Sequence, residues 1–139
     1  MSDPPRSPHR LATPEGWPRP SGYSEVVAAV PGRMVCVAGQ TGRRPDGSLA
    51  DDLVGQFEGA CANVIEALRA ANAGPEHVVS LLIFATDVGE YRRREKEIGE
   101  AYRRHFGKHY PAMALLGTTE LYGPEAMVEV VATAVVPGR

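Results

Sequence analysis

The sequence predicts one α+β domain: a single sheet with two helices on one of its faces. Three observations carry that prediction. Segments of strand and helix period follow in the order strand, strand, helix, strand, helix, strand, strand. Only two segments show the three-and-four apolar spacing of an amphipathic helix, and two helices cover only one face of such a sheet. A length of 139 residues, with 43% hydrophobic and 23% charged side chains, suits one core. The domain is placed over 22–137, after a proline-rich irregular arm over 1–21, and no internal repeat or second domain is visible.

The arm holds half of the twelve prolines and little periodic hydrophobicity, so its start is expected to be disordered. Trp17 is its exception, a ring expected to pack on the domain or on a neighbouring subunit. Residues 25–30 and 34–38 are β-branched runs split by Pro31-Gly32, and they read as an antiparallel hairpin. Turn residues follow at Gly39-Gln40-Thr41-Gly42 and Pro45-Asp46-Gly47. Asp51 and Asp52 offer N-cap oxygens to a helix whose stripe is Leu53, Phe57, Cys61, Val64, Leu68 and Ala71, ended by Gly74-Pro75. Residues 78–86 are apolar at odd and even positions alike, the mark of a strand covered on two faces. A second helix over 91–106 turns Ile98, Ala101, Tyr102 and His105 inward. Its charges should pair weakly, Arg93 with Glu97 and Lys96 with Glu100, and Gly107 stops it. Two more strands, 113–121 and 126–136, flank the turn at Gly123-Pro124. The strands at 78–86 and 126–136 carry apolar side chains toward both faces, yet no segment is left to cover the second. Self-association is the simplest cover.

Several function classes are disfavoured by composition. With 15 basic and 17 acidic side chains the net charge is -2, which gives no general attraction to nucleic acid or an anionic membrane. Arg92, Arg93 and Arg94 alternate with Glu95, Glu97 and Glu100, a solvated helix face. No apolar run is long enough to span a bilayer, and the N-terminus has no secretory core segment, so cytoplasmic residence is expected. Cys36 and Cys61 lie in apolar segments without CxxC spacing and read as inert core thiols. His105 and His109 are four apart, but Gly107 breaks the helix between them and no third ligand is near, so no metal site is expected. His77 reads as a surface residue. Gly39 and Gly42 are not followed directly by a helix and make no dinucleotide fingerprint.

One ordered series carries a resemblance. It consists of Gly22-Tyr23-Ser24-Glu25-Val26-Val27, Val35-Cys36-Val37-Ala38-Gly39-Gln40, Gln56 with Asn63-Val64, Phe84-Ala85-Thr86-Asp87, Phe106-Gly107, Tyr110-Pro111-Ala112 and Val128-Glu129-Val130. Across residues 16–136 it resembles the Rid (reactive intermediate deaminase, RidA/YjgF-like) family. The resemblance implies a chorismate-mutase-like α+β fold with a mixed sheet, three subunits joined into a central barrel, and small-molecule clefts between neighbours. It also implies hydrolysis of imines or enamines to a keto acid and ammonia, with no metal or organic cofactor. That chemistry needs an anchored substrate, a polarised C=N bond and one positioned water.

The family's carboxylate-anchoring arginine follows Pro-Ala, where this chain has Met113 after Pro111-Ala112. A thioether has no charge and no donor, and losing a bidentate charged contact in a desolvated cleft costs on the order of 2–5 kcal/mol. Ala114 and Leu115 replace a small polar pair, and Gly89, in the expected loop after Asp87, stands where active deaminases often have asparagine. The cleft is therefore expected to be more apolar and to suit a ligand with less negative charge. Three matching positions survive: Glu129 to hold or activate water, Tyr23 reaching the cleft from the N-terminal side, and Gly39 with its close backbone approach. Read without the family, Glu129 is a strand carboxylate facing away from Val128 and Val130, and Tyr23 is a packing residue. Arg43 and Arg44, in a turn-rich loop, are candidates for a relocated anchor in a genuine 2-imino acid deaminase. A non-catalytic binding or regulatory trimer is the third reading. Ribonuclease activity, described for some family members, has no aromatic-basic stripe to support it here.

Overall fold

A computed structural model describes residues 5–138; residues 1–4, where the disordered start of the arm is expected, lie outside the described residues. Within the proline-rich segment, β1 (Arg10–Ala12) pairs antiparallel with β2 (Val26–Ala28). The expected hairpin of residues 25–30 with 34–38 is thereby corrected. Pro31 breaks the chain as anticipated, but β2 turns to the arm while β3 (Gly32–Gln40) joins the main sheet. His9, 5% exposed, fixes that arrangement. Its Nδ1 accepts the Val30 N–H at 3.2 Å, and its Nε2 lies 2.9 Å from the Val135 carbonyl and 3.2 Å from that of His77. Accepting at Nδ1 leaves Nε2 to donate to the two carbonyls. Trp17 packs little on its own domain and stays 56% exposed.

α1 (Leu53–Ala70) buries its predicted stripe through Leu68. Asp52 occupies the N-cap position without a side-chain capping bond, and the helix closes at Ala71, ahead of Gly74-Pro75. A 3-10 turn, Pro75–His77, then leads into β4 (Val78–Ala85). The predicted second helix starts earlier and is broken in two. Asp87 accepts the Glu90 N–H at 3.0 Å and starts α2 (Val88–Arg93); after Arg94, α3 (Glu95–Phe106) runs to Gly107, whose φ of 65° is left-handed. Gly89 thus lies in a helical turn rather than a loop. Glu90 pairs with Arg93 and Arg94 at 3.0 and 3.1 Å, replacing the expected Arg93–Glu97 pair, because the break at Arg94 changes the helical phase.

β5 (Ala112–Gly117) and β6 (Val128–Pro137) complete a sheet of order β3-β6-β4-β5. β4 and β5 are parallel, and β6 lies antiparallel between β3 and β4, so the sheet is mixed and its last two strands are not neighbours. Val37, Leu81, Ile83, Val128, Val130 and Ala132 bury one face against α1 and α3. Burial of the valine, leucine and isoleucine side chains is worth about 1.5–3 kcal/mol each. Gln56, 2% exposed, ties α1 to the loops beside this core: Nε2 donates to the Ala50 and Glu125 carbonyls at 2.9 and 3.3 Å, and Oε1 accepts the Met127 N–H at 2.8 Å.

Among the described residues nothing covers the other face. Met34, Leu82 and Leu116 are 67%, 39% and 42% exposed there. Cys36, expected in the core, is also exposed on this face, since the strand alternation that buries Val35 and Val37 turns residue 36 outward. Cys61 is buried, and burial pushes its thiol pKa up, so it stays protonated and inert.

Candidate functional site

Strand register decides which predicted site residues can meet, because directly opposed residues share a face of the sheet. Phe84 opposes Glu129 on β6 and Leu116 on β5, and Leu82 opposes Val131 and Ala114. Glu129 and Ala114 therefore stand on the uncovered face. Leu81 opposes Met113 and Ile83 opposes Leu115, which turns Met113 toward the helix side, where it packs on the core. Met113 and Glu129 lie on opposite faces of one sheet, so a single chain cannot use them together.

On the uncovered face, Glu129 meets Gly39. The register between β3 and β6 slips after Val37, and the slip sets the Gly39 backbone against the Glu129 side chain. A β-carbon at residue 39 would lie 2.7 Å from Glu129 Cδ and 2.7 Å from Oε2. This is a physical reason for glycine before Gln40: the carboxylate occupies the space a side chain would need. Glu129 makes no protein hydrogen bond among the described residues, and at intermediate exposure its oxygens are free to hold water.

Tyr23 and Met113 meet elsewhere, in a cleft of about 540 Å³ between the arm, the β5 edge and α3. Ser24 fixes this arm to β5: its N–H donates to the Pro111 carbonyl at 3.0 Å and its hydroxyl to the Tyr110 carbonyl at 2.5 Å. The Tyr23 hydroxyl donates to Glu25 Oε1 at 3.3 Å, and the Glu25 carboxylate raises its pKa, so it is a protonated donor at neutral pH. Arg103 and Lys108, which the sequence did not single out, also line this cleft. Their spacing along the chain gave no sign of a shared cavity.

The remaining candidates fall outside both places. Gly89 stands in the first turn of α2, where a β-carbon would meet Asp87 Oδ1 at 3.4 Å and Arg93 Nη1 at 3.5 Å. Leu115, 39% exposed, lies at the β5 edge. Arg43 donates to the Gly47 carbonyl at 2.7 Å and Arg44 to Ser48 Oγ at 3.3 Å, so both are turned into their own loop. Asn63, donating to the Thr41 and Arg43 carbonyls at 2.9 and 2.8 Å, holds that loop on α1. Among the described residues no three His, Cys, Asp or Glu side chains are grouped to hold a metal, and no helix is long and apolar enough to cross a membrane.

A mixed four-stranded sheet with helices on one face and a carboxylate on the other defines an α+β protein of the YjgF-like type. Residues 18–136 match the family described as Endoribonuclease L-PSP, and the chain belongs to this family, the Rid proteins. It is 32% identical over 101 residues to protein DfrA of Myxococcus xanthus, covering 71% of this chain and 74% of that one. The Rid-family protein YyfB of Yersinia pestis superposes with a TM-score of 0.81 at 30% identity, over 92% of this chain and 98% of its own. A member of the YjgF/YER057c/UK114 family from Mycobacterium tuberculosis is 34% identical with a TM-score of 0.63, over 83% and 87% of the two chains.

Proposed function

We propose that this chain assembles as a homotrimer and binds or hydrolyses a small imine, enamine or carbonyl-type metabolite in clefts between its subunits. The observation that carries the reading is the Glu129 carboxylate packed on the Gly39 backbone, on a sheet face that a single chain leaves open. A second copy laid on that face would bring its own β5 edge toward this carboxylate, joining the Glu129–Gly39 half to a Tyr23–Met113 half.

In the joined cleft, Glu129 accepts a proton from water as the water oxygen attacks the imine carbon. Glu129 returns that proton to the nitrogen, giving the carbinolamine. Transfer of the carbinolamine's hydroxyl proton to the nitrogen through Glu129 then breaks the C–N bond, releasing ammonia and leaving the carbonyl compound and a free carboxylate. Tyr23, a protonated donor, is available to the substrate's polar end. Met113 contributes apolar wall but no anchor. A relocated anchor at Arg43 or Arg44 would first have to leave Gly47 and Ser48.

The test generates imines in place from amino acids with an amino acid oxidase and follows release of the carbonyl product. Acceleration over spontaneous hydrolysis, reduced by about 100-fold or more in Glu129→Gln, is expected. Absence of acceleration with every imine supplied would remove the hydrolase reading and leave a binding protein.

A further inference from the structure

We infer that the cleft between the arm and α3 takes a carboxylate-bearing ligand with an aromatic or similarly bulky apolar body, anchored by Arg103 and Lys108 in place of a cation at residue 113. The inference rests on the reading above, in which the Tyr23–Met113 cleft is the ligand-binding half-site, and it names the ligand class that half-site would take.

Size and wall chemistry come first. A cavity of about 540 Å³ sits well inside the range for small-molecule sites and would leave a three-carbon acid mostly surrounded by water. Its floor is aromatic: Tyr102 stacks on Phe106 with centroids 4.6 Å apart and on Tyr110 at 5.5 Å. The Tyr102 hydroxyl is already committed, donating to the His109 carbonyl at 2.6 Å. What the ring offers to the cleft is therefore apolar surface, continued by Ile98 and Met113. Such walls suit an apolar body rather than a polar one.

Charge at the rim comes second. Arg103 and Lys108 are exposed, and among the described residues neither makes an ion pair or a side-chain hydrogen bond. Their neighbour Arg104 is the one committed to a carboxylate, pairing with Glu58 on another side of α3. One anion, Glu95, also lines the cleft. It stands one turn before Gly99, over which the Arg103 guanidinium lies, so it disfavours a carboxylate at that end of the cleft and leaves the end toward Lys108.

Gly99 supplies a third, independent sign. Glycine inside a helix costs about 1 kcal/mol relative to alanine. Gly99 lies in α3 one turn before Arg103 and lines the same cleft. A β-carbon there would come within 3.3 Å of Arg103 Nη1, so the bare backbone leaves room for the guanidinium to lie along the helix.

Equilibrium binding to the full chain tests this with three probes: phenylpyruvate, pyruvate, and 4-phenyl-2-butanone as the aromatic ketone without a carboxylate. Phenylpyruvate should bind at least about 10-fold tighter than either of the others. Arg103→Ala and Lys108→Ala should each weaken phenylpyruvate about fivefold while leaving the ketone within about twofold, as both positions are exposed and tolerate alanine. Gly99→Ala should raise the melting temperature yet weaken phenylpyruvate, a split that loss of folding cannot produce. Equal binding of the acid and the ketone, or no effect of either cation, overturns the inference. Cation-dependent binding without turnover of any imine supports it and removes hydrolysis alone. Turnover with affinity indifferent to Arg103 and Lys108 overturns it and leaves the hydrolase reading standing.

Discussion

At residue 39 a methyl group and the Glu129 carboxylate cannot share one space, as the 2.7 Å approach to Cδ and Oε2 shows. The backbone itself would accept alanine, because Gly39 is not among the glycines of positive φ. Gly39→Ala is therefore a test of carboxylate position with little backbone strain added. Displacing a reacting group by about 1 Å typically costs on the order of 100-fold in rate. We expect Gly39→Ala to lower imine turnover by about that factor while the circular dichroism spectrum stays unchanged. Full activity in the variant would show that Glu129 needs no such placement. The adjacency of residues 39 and 129 was not available from spacing, since they lie ninety positions apart; the family resemblance named both, and the strand register explains why they meet.

Among the elements, the turn before β4 gathers three histidines that the sequence scattered. His109 is 9% exposed and its Nε2 lies 2.7 Å from the Val78 carbonyl. His77 Nδ1 accepts the Gly74 N–H at 3.0 Å, and His9 spans the gap from the arm. Burial is the main cause that lowers the pKa of His109; the Val78 carbonyl and Glu76 oppose that shift, while His9 and His77 add to it. The sign follows from linkage. In acid the unfolded chain takes up a proton near the ordinary histidine value of about 6.5, and the folded chain resists it. The stability that neutral His109 secures is thus present above that value and lost as pH falls below it. The urea midpoint should drop between about pH 7.5 and about pH 5.5, and His109→Gln should flatten the dependence. An unaltered slope in the variant would assign the acid sensitivity to other groups. Long periodic elements such as α1 and the alternation of β6 were legible because they repeat over many residues. The strand at Arg10–Ala12 was not: three residues show no period, and its pairing depends on a buried histidine 126 positions from Val135 in the chain. The break at Arg94 was hidden for another reason. Charged residues continue on both sides of it, so the outward face gives no signal when the phase changes.

For the whole molecule, the uncovered face is where the proposed assembly would form. Its exposed side chains, Met34, Leu82, Leu116 and Cys36, form part of the surface of one sheet rather than scattered apolar points. Extended apolar surface of this kind marks a contact with another chain. Leu82 stands on the central strand β4, opposite Val131 and Ala114, so a charge there would be carried into the middle of any sheet-to-sheet contact. An unpaired buried charge costs several kcal/mol, enough to dissociate an assembly of micromolar affinity. In the isolated subunit the same charge faces water and leaves the helix-side core untouched. Wild-type protein should therefore sediment as a trimer at micromolar concentration, and Leu82→Lys as a folded monomer with loss of imine turnover. A wild-type monomer would leave the Glu129 half of the site without its second wall. A trimeric Leu82→Lys would place the contact on a different surface, and in that case the Tyr23–Met113 cleft would have to work without a carboxylate from a neighbour.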